Sequence, residues 1–376
     1  MTSTENTAES GNLSRRRFLE LGSGAAAGLA LSSLPAGEPF TGKSAGSGAR
    51  AVILVNNYGG PSHLDLFDMK PEAPLEVRGP FRPVRTRSAE FELSELLPLH
   101  ARVADRFSLV RTCNHGLNAL HETASCLIQT GRAPGVENPA PHPGVVTSIL
   151  RGNNDGETSN FLLGAARSKP ASTLAEHEPA VVSPHALRLS QAERERFGLS
   201  PVGDNLLAAR KLVEEGARFV TVNTSDRPRD PLGWDMHGRR GFSSFAELRE
   251  SIAPRYDRAY WALITSLEER GMLDETLVCC LGEFGRSPRI NPCGGRDHWT
   301  GCWTVYFAGG GVQGGRAVGR SDELGSHPLD RPTSPREIAA TIYHCLGIPG
   351  EITQRILGDD SVPMKETGAQ AIMELF

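Results

Sequence analysis

The chain is 376 residues long, with 39% hydrophobic and 22% charged residues and a formal net charge of -4. That length and composition describe a globular protein, with one large α/β domain or two smaller ones. The mild negative balance excludes the basic face of a nucleic-acid binder, and no internal repeat is found along the chain.

At the N-terminus, Ser14-Arg15-Arg16-Arg17-Phe18-Leu19 precedes small and apolar residues from Leu21 to Leu34, then Pro35-Ala36. Paired arginines ahead of a weakly hydrophobic run are the pattern of a twin-arginine export signal. Residues 1–36 are therefore expected to be a signal peptide and the protein to be periplasmic or secreted. The apolar run falls short of the ~20 residues that span a bilayer, so the expected membrane contact is limited to this segment if it stays uncleaved. Residues 37–50, rich in Gly, Ser and Ala, read as a linker. The seven cysteines show no Cys-x-x-Cys pattern. One disulfide, Cys293 with Cys302, would be permitted in an oxidising compartment.

From Ala51 the chain reads as a single domain to residue 376. Ala51 to Asn57 is an apolar run ending at Tyr58-Gly-Gly60, the pattern of a buried parallel strand and its loop. Phe107–Thr112 is a second strand. His121–Thr130 has helical apolar spacing and stops at Gly131. Residues 134–201, rich in Pro, Gly, Asn and Ser, read as loop-rich surface excursions with short elements. Asn205–Glu215 is an amphipathic helix and Arg218–Asn223 a strand. Phe242–Arg270 is one long helix or one broken at Pro254. Thr276–Leu281 and Trp303–Ala308 are strands, and Ser334-Pro335-Arg-Glu337 is a capping box that opens the last helix. Strands alternating with helices predict a three-layer α/β/α sandwich on a mostly parallel sheet.

Ligands of such sheets bind beyond the C-terminal ends of the strands. Asn57, Asp235, His237 and Glu283 all follow such ends. Gly-Trp-Asp235-Met-His237-Gly, Gly-Glu283-Phe-Gly-Arg286 and Gly-Gly-Arg296-Asp297-His298-Trp299 collect carboxylates and imidazoles, the usual donors to Zn, Mn and related divalent ions. Each cluster also has a bland reading. Asp235 and His237 would cap a helix and bond a loop, Glu283 would pair with Arg286, and Asp297-His298 would form a salt-bridge knot with Arg296. His63 and Asp65 divide between turn-forming and metal-binding roles.

In their order along the chain these segments resemble the DUF1501 family of exported bacterial proteins. The similarity begins with Asn57-Tyr-Gly-Gly-Pro-Ser-His63-Leu-Asp65-Leu-Phe-Asp68. It continues through Leu212–Val222, Trp234-Asp-Met-His237, Gly282-Glu-Phe-Gly-Arg-Ser-Pro288, Gly295-Arg-Asp-His-Trp299 and Arg331–His344, and so covers residues 51–358. That family looks like a branch of the alkaline phosphatase and sulfatase superfamily, whose members hydrolyse phosphate or sulfate esters at one or two metal ions. The resemblance implies an alkaline phosphatase-like fold, a divalent metal cofactor (Zn, Mn, Ca or Fe) and a small-molecule or polysaccharide ester as substrate.

Carried over residue by residue, it implies metal ligands at Asp235, His237, Glu283, Asp297 and His298, with His63 or Asp65 standing in where Asn56-Asn57 replaces the superfamily's aspartate. In sulfatases the nucleophile opens a helix ending Thr-Gly-Arg. Here the helix ends Thr130-Gly131-Arg132, and counting back nine residues from Thr130 reaches His121. Thr123 would then be an alkoxide nucleophile, or His121 a ligand with water attacking. Arg286 and Arg296 would bind the anion's oxygens, with Asn57 beside them. The departures at Asn57, His121 and Phe284 leave a second reading open: a non-catalytic protein that keeps the fold and binds a metal or an exported protein partner.

Overall fold

A computed structural model describes residues 48–133, 141–151, 159–164, 178–225, 232–357 and 370–376. The predicted signal peptide, nearly all of the predicted linker and parts of the 134–201 excursion lie outside them. Among the described residues no helix is long and apolar enough to cross a membrane.

One sheet organises the fold. Its strands are β1 (Ala51–Asn56), β2 (Phe107–Cys113), β3 (Asn160–Leu163), β4 (Ala180–Val182), β5 (Phe219–Asn223), β6 (Thr276–Leu281), β7 (Trp303–Ala308) and β8 (Ala317–Val318), in the spatial order β8-β2-β7-β6-β1-β5-β3-β4. All neighbours pair in parallel except β7, which is antiparallel to both β6 and β2. The central strands β1 and β6 are wholly buried, as expected where helices cover both faces of a parallel sheet.

Alternation along β1 separates two cores. Ala51, Ile53 and Val55 pack with the helices Pro201–Glu214 and Ala253–Glu269. Val52 and Leu54 pack with residues of His121–Thr130, Pro143–Arg151 and Pro335–Cys345. Helices, sheet and helices form the three-layer α/β/α sandwich that the pattern predicts.

Local chemistry places the helix ends. Gly131 closes His121–Thr130 in the left-handed conformation at φ 73°. Ser334 and Glu337 form the capping box, with Pro335 in the first turn. The backbone stays helical from Phe245 to Glu269, widened at Leu248–Ile252 just before Pro254, so the alternative of one long helix holds and proline widens it locally without breaking it.

One expectation needs correction. The helix expected at Asn205 starts at Pro201, where Ser200 caps it and proline suits a first turn. The excursion read as loop-rich with short elements carries two short strands that join the main sheet, β3 and β4, and the helices Pro143–Arg151 and Gln191–Phe197. Its apolar runs are only three or four residues long, enough to pair on a sheet flank but too short to show a period.

The direction of β7 matters for function. Because β7 runs against its neighbours, the segment preceding it, not the one following it, lies at the sheet edge where β1, β5 and β6 end. That segment forms a small hairpin with Gly285–Arg286, in which His298 stands opposite Arg286 and Trp299 opposite Gly285.

Candidate metal centre

Asp235 is the hub of the residues gathered at this edge. Its Oδ1 lies 3.1 Å from His237 Nε2 and 3.1 Å from His298 Nε2, and its Oδ2 lies 3.4 Å from His121 Nε2. The two imidazole nitrogens of His237 and His298 are themselves 3.0 Å apart. Donor atoms of His121, Asp235 and His298 all fall within 4.8 Å of one another. With metal–nitrogen and metal–oxygen bonds of ~2.0–2.1 Å, the edge of a tetrahedral site is about 3.3 Å, close to the 3.0–3.4 Å separations around Asp235 but shorter than the 4.8 Å limit of the set.

The far nitrogen of each imidazole fixes its tautomer. His298 Nδ1 lies 2.9 Å from the carbonyl oxygen of Ala119, which can only accept. His237 Nδ1 lies 3.1 Å from Asp297 Oδ1, and His121 Nδ1 lies 2.6 Å from Glu283 Oε1. Each Nδ1 therefore carries the proton. In the neutral ring Nε2 is then a lone pair aimed at a carboxylate that is also an acceptor. The lone pairs of His237 and His298 face Asp235 Oδ1 and that of His121 faces Oδ2, with His237 outside the set of donor atoms all within 4.8 Å of one another, and a proton or a metal ion would relieve their opposition. Imidazole held through Nδ1–H to a carboxylate or carbonyl is the usual outer support of a metal ligand.

Electrostatics agree. Burial pushes the Asp235 carboxyl up, but contacts with His121, His237 and His298 and the charge of Arg286 outweigh it and hold it far below the usual carboxylate range. Burial lowers His121, yet its bonds to Asp235 and Glu283 raise it to about 9. His298 is lowered, first by burial and then by the neighbouring positive charges, against the pull of Asp235.

The sequence-predicted residues divide into three groups. His121, His237 and His298 meet at Asp235. Glu283 and Asp297, expected as ligands, stand one layer out behind His121 and His237. The Glu283 carboxylate is fully buried, and its Oε1 also accepts from the Gly59 N–H at 2.8 Å.

The remaining predicted residues are occupied elsewhere. Arg286 is fully buried. It donates to the carbonyls of Gly59, Gly60 and Arg296 and, at 2.7 Å, to Asp235 Oδ1. Arg296, equally buried, grips Asp65 in a bidentate pair at 2.7 and 3.0 Å and donates to the carbonyls of Val77, Ser287 and Pro288. With every guanidinium nitrogen engaged, neither arginine is free for an anion; both bind loops together. Asp65 is consumed by that pair and by Ser62, whose Oγ donates to it at 2.5 Å.

His63 is buried, with Nε2 at 2.7 Å from the Gly325 carbonyl, outside the cluster. Asn57 spends its amide on Tyr256 and Thr224. Thr123, two positions beyond His121 on the same helix, stands about 200° round the axis from it, off the face that carries His121. The seven cysteines are free thiols; Cys293 is exposed and Cys302 buried.

Tyr58 escaped sequence reasoning. Its half-buried ring packs 5.0 Å from that of His121. Burial, then the charges of Glu283, Glu122 and Asp235, raise its hydroxyl, which stays protonated and able to donate beside the cluster. Its place directly after a strand end was the available signal.

No curated protein matches the chain. Among solved structures it is similar to a protein in the alkaline phosphatase superfamily from Vibrio parahaemolyticus, at 12% identity and TM-score 0.46, covering 85% of this chain and 71% of that one. It is similar also to the phosphonate monoester hydrolase SpPMH from Silicibacter pomeroyi, at 11% identity and TM-score 0.46, with coverages of 80% and 74%. A third similar structure is the C-terminal periplasmic domain of EcEptC from Escherichia coli in complex with Zn, at 12% identity and TM-score 0.43, with coverages of 80% and 83%. The family described as "Protein of unknown function (DUF1501)" matches residues 49–180 and 166–376, and the chain belongs to that family.

Proposed function

We propose that His121, His237 and His298, each through Nε2, hold a divalent cation with Asp235, and that the chain is an exported hydrolase of a phosphate or sulfate ester. The observation that carries the metal is the convergence of these nitrogens, each tied behind by an acceptor, on one carboxylate oxygen pair. Three imidazoles to one carboxylate suit zinc, iron or manganese and disfavour calcium, which takes oxygen donors. A bound divalent cation supplies Lewis acidity toward an ester oxygen.

The protein's own part is to keep each imidazole in one tautomer. Glu283 holds the Nδ1 proton of His121, Asp297 that of His237 and the Ala119 carbonyl that of His298. Arg286 fixes Asp235 and lowers its basicity. The Tyr58 hydroxyl offers a hydrogen bond to a substrate oxygen. With His121 engaged on both nitrogens and Thr123 facing away, water is the nucleophile of this scheme.

A second reading, metal binding without catalysis, draws on a specific observation: Arg286, Arg296 and Asn57 are all occupied by protein partners. One experiment tests both. Elemental analysis of the purified protein beside Asp235→Ala/His298→Ala should find about one equivalent of metal in the wild type alone. A screen of phosphate and sulfate esters then separates hydrolysis from binding. A wild type free of metal after growth with zinc, iron and manganese sinks both.

A further inference from the structure

Behind the cluster, on the face of the sheet covered by Ala253–Glu269, lies a buried polar chain that none of the site chemistry uses. It starts at Trp234, the residue before Asp235. The Trp234 indole Nε1–H donates to Thr224 Oγ1 at 3.1 Å. The Thr224 hydroxyl is shared between Asn57 Oδ1 at 3.2 Å and the Asn56 carbonyl at 3.3 Å. Asn57 Nδ2 donates to the Tyr256 hydroxyl at 3.0 Å. Tyr256 and Tyr306 share a 2.5 Å hydroxyl contact, and Tyr306 Oη lies 3.5 Å from His100 Nε2. His100 Nδ1 lies 2.6 Å from Asp257 Oδ1, which also accepts from the His100 N–H at 2.7 Å, while Asp257 Oδ2 accepts from the Leu99 N–H at 2.9 Å.

An indole nitrogen only donates, and the Asp257 carboxylate only accepts, so the outer links have fixed directions. Tyr256 receives from Asn57 and shares its hydroxyl with Tyr306, and both hydroxyls also meet the Cys280 thiol. A buried polar network whose members are all engaged fixes one arrangement of them. Tyr256 also supports Trp234 directly, edge to face at 5.1 Å and 87°.

We infer that Tyr256 and Tyr306 are positioning residues for the Asp235 centre: the relay from Asp257 to Trp234 sets the loop that presents Asp235 and His237. This inference rests on the metal reading for its affinity readout. Its structural claim is read separately at the Trp234 indole. Tyr260 provides the matched control, being buried in the same aromatic cluster and stacked on His100 at 4.3 Å, with a hydroxyl that has no hydrogen-bond partner among the described residues.

The experiment compares the wild type, Tyr256→Phe, Tyr306→Phe and Tyr260→Phe in the full chain. Cobalt(II) is titrated and followed by its visible spectrum, and hydrogen exchange of the Trp234 indole is followed by NMR in chelator. Loss of either relay hydroxyl should weaken cobalt binding about tenfold, the low end of what outer-shell changes cost, with an altered band shape. It should also speed indole exchange several-fold, while Tyr260→Phe does neither. Equal affinity and equal exchange in Tyr256→Phe and Tyr260→Phe overturn the inference. A wild type that takes up no cobalt sinks the metal reading; the relay itself is then decided by indole exchange, with unchanged protection in Tyr256→Phe counting against it.

Discussion

Asp235→Asn separates the charge of the hub from its shape. In the wild type, Asp235 Oδ1 sits 2.7 Å from Arg286 Nη2, and the guanidinium is fully buried. The amide oxygen would still accept one hydrogen bond, but the Arg286 charge would keep only the carbonyls of Gly59, Gly60 and Arg296 around it. Breaking a buried ion pair by removing one partner costs about 3–5 kcal/mol, and the retained amide places the expectation at the low end, about 3 kcal/mol. The contacts to three histidines go with it, so the anionic ligand of the centre is lost as well. Urea denaturation in chelator should show that loss of about 3 kcal/mol. Added zinc at a hundred times its Kd should stabilise the wild type by about 2.7 kcal/mol and the variant by almost nothing. A variant within about 0.5 kcal/mol of wild type in chelator, or one that keeps its zinc response, refutes the reasoning.

Three further outcomes are expected. Glu283→Gln removes the anionic acceptor of His121 Nδ1 and should weaken zinc about 10–100-fold, as measured by competition with a chromogenic chelator. Asp297→Asn should weaken zinc less, since its side chain is 62% exposed, and circular dichroism should show an unchanged melting temperature. His142 is buried, and burial lowers its pKa to about 4, against 6.5 for an exposed ring. The unfolded chain therefore takes up that proton first as pH falls. The stability is intact above pH 6.5 and is lost between 6.5 and about 4, to about 3 kcal/mol in all at 1.36 kcal/mol per unit. Denaturation midpoints of wild type and His142→Gln at pH 7.5 and 4.5 check it: the wild type should lose more of its stability than the variant.

Much of the fold is legible because its signals are local. β6 and β7 span the residues predicted for them, Thr276–Leu281 and Trp303–Ala308, since each is a continuous apolar run. Gly131 and the Ser334–Glu337 box mark their helix ends by backbone chemistry alone. The direction of β7 is not local. It depends on pairing with β2 and β6, far away in sequence, and no residue within Trp303–Ala308 encodes it. β3 and β4 were hidden by their brevity and by the polar sequence around them.

The candidate site divides the same way. Residue types and strand ends pointed to Asp235, His237 and His298, and the position opening a helix pointed to His121. Their roles depended on contacts that side-chain identity does not carry. The acceptor that fixes His298 is a backbone carbonyl, that of Ala119, and any residue there would present the same atom. Buried arginine and anion-binding arginine are likewise identical as letters. What distinguishes them here is the company of glycines. Gly59 has φ 114° and Gly60 φ 73°, and a Cβ at Gly59 would stand 2.7 Å from the Asp235 nitrogen, one at Gly60 2.7 Å from the Phe284 carbonyl oxygen. Only a chain without side chains there can bring both carbonyls onto the Arg286 guanidinium. Arg286 thus binds the loop after β1 to Asp235, while Arg296 binds Asp65 to the loop after Arg286. Two buried cations hold the frame, and their charge is neutralised within it. Neither arginine is then free to meet a substrate anion, and in the function proposed above that charge comes from the cation held at Asp235, with the Tyr58 ring beside it.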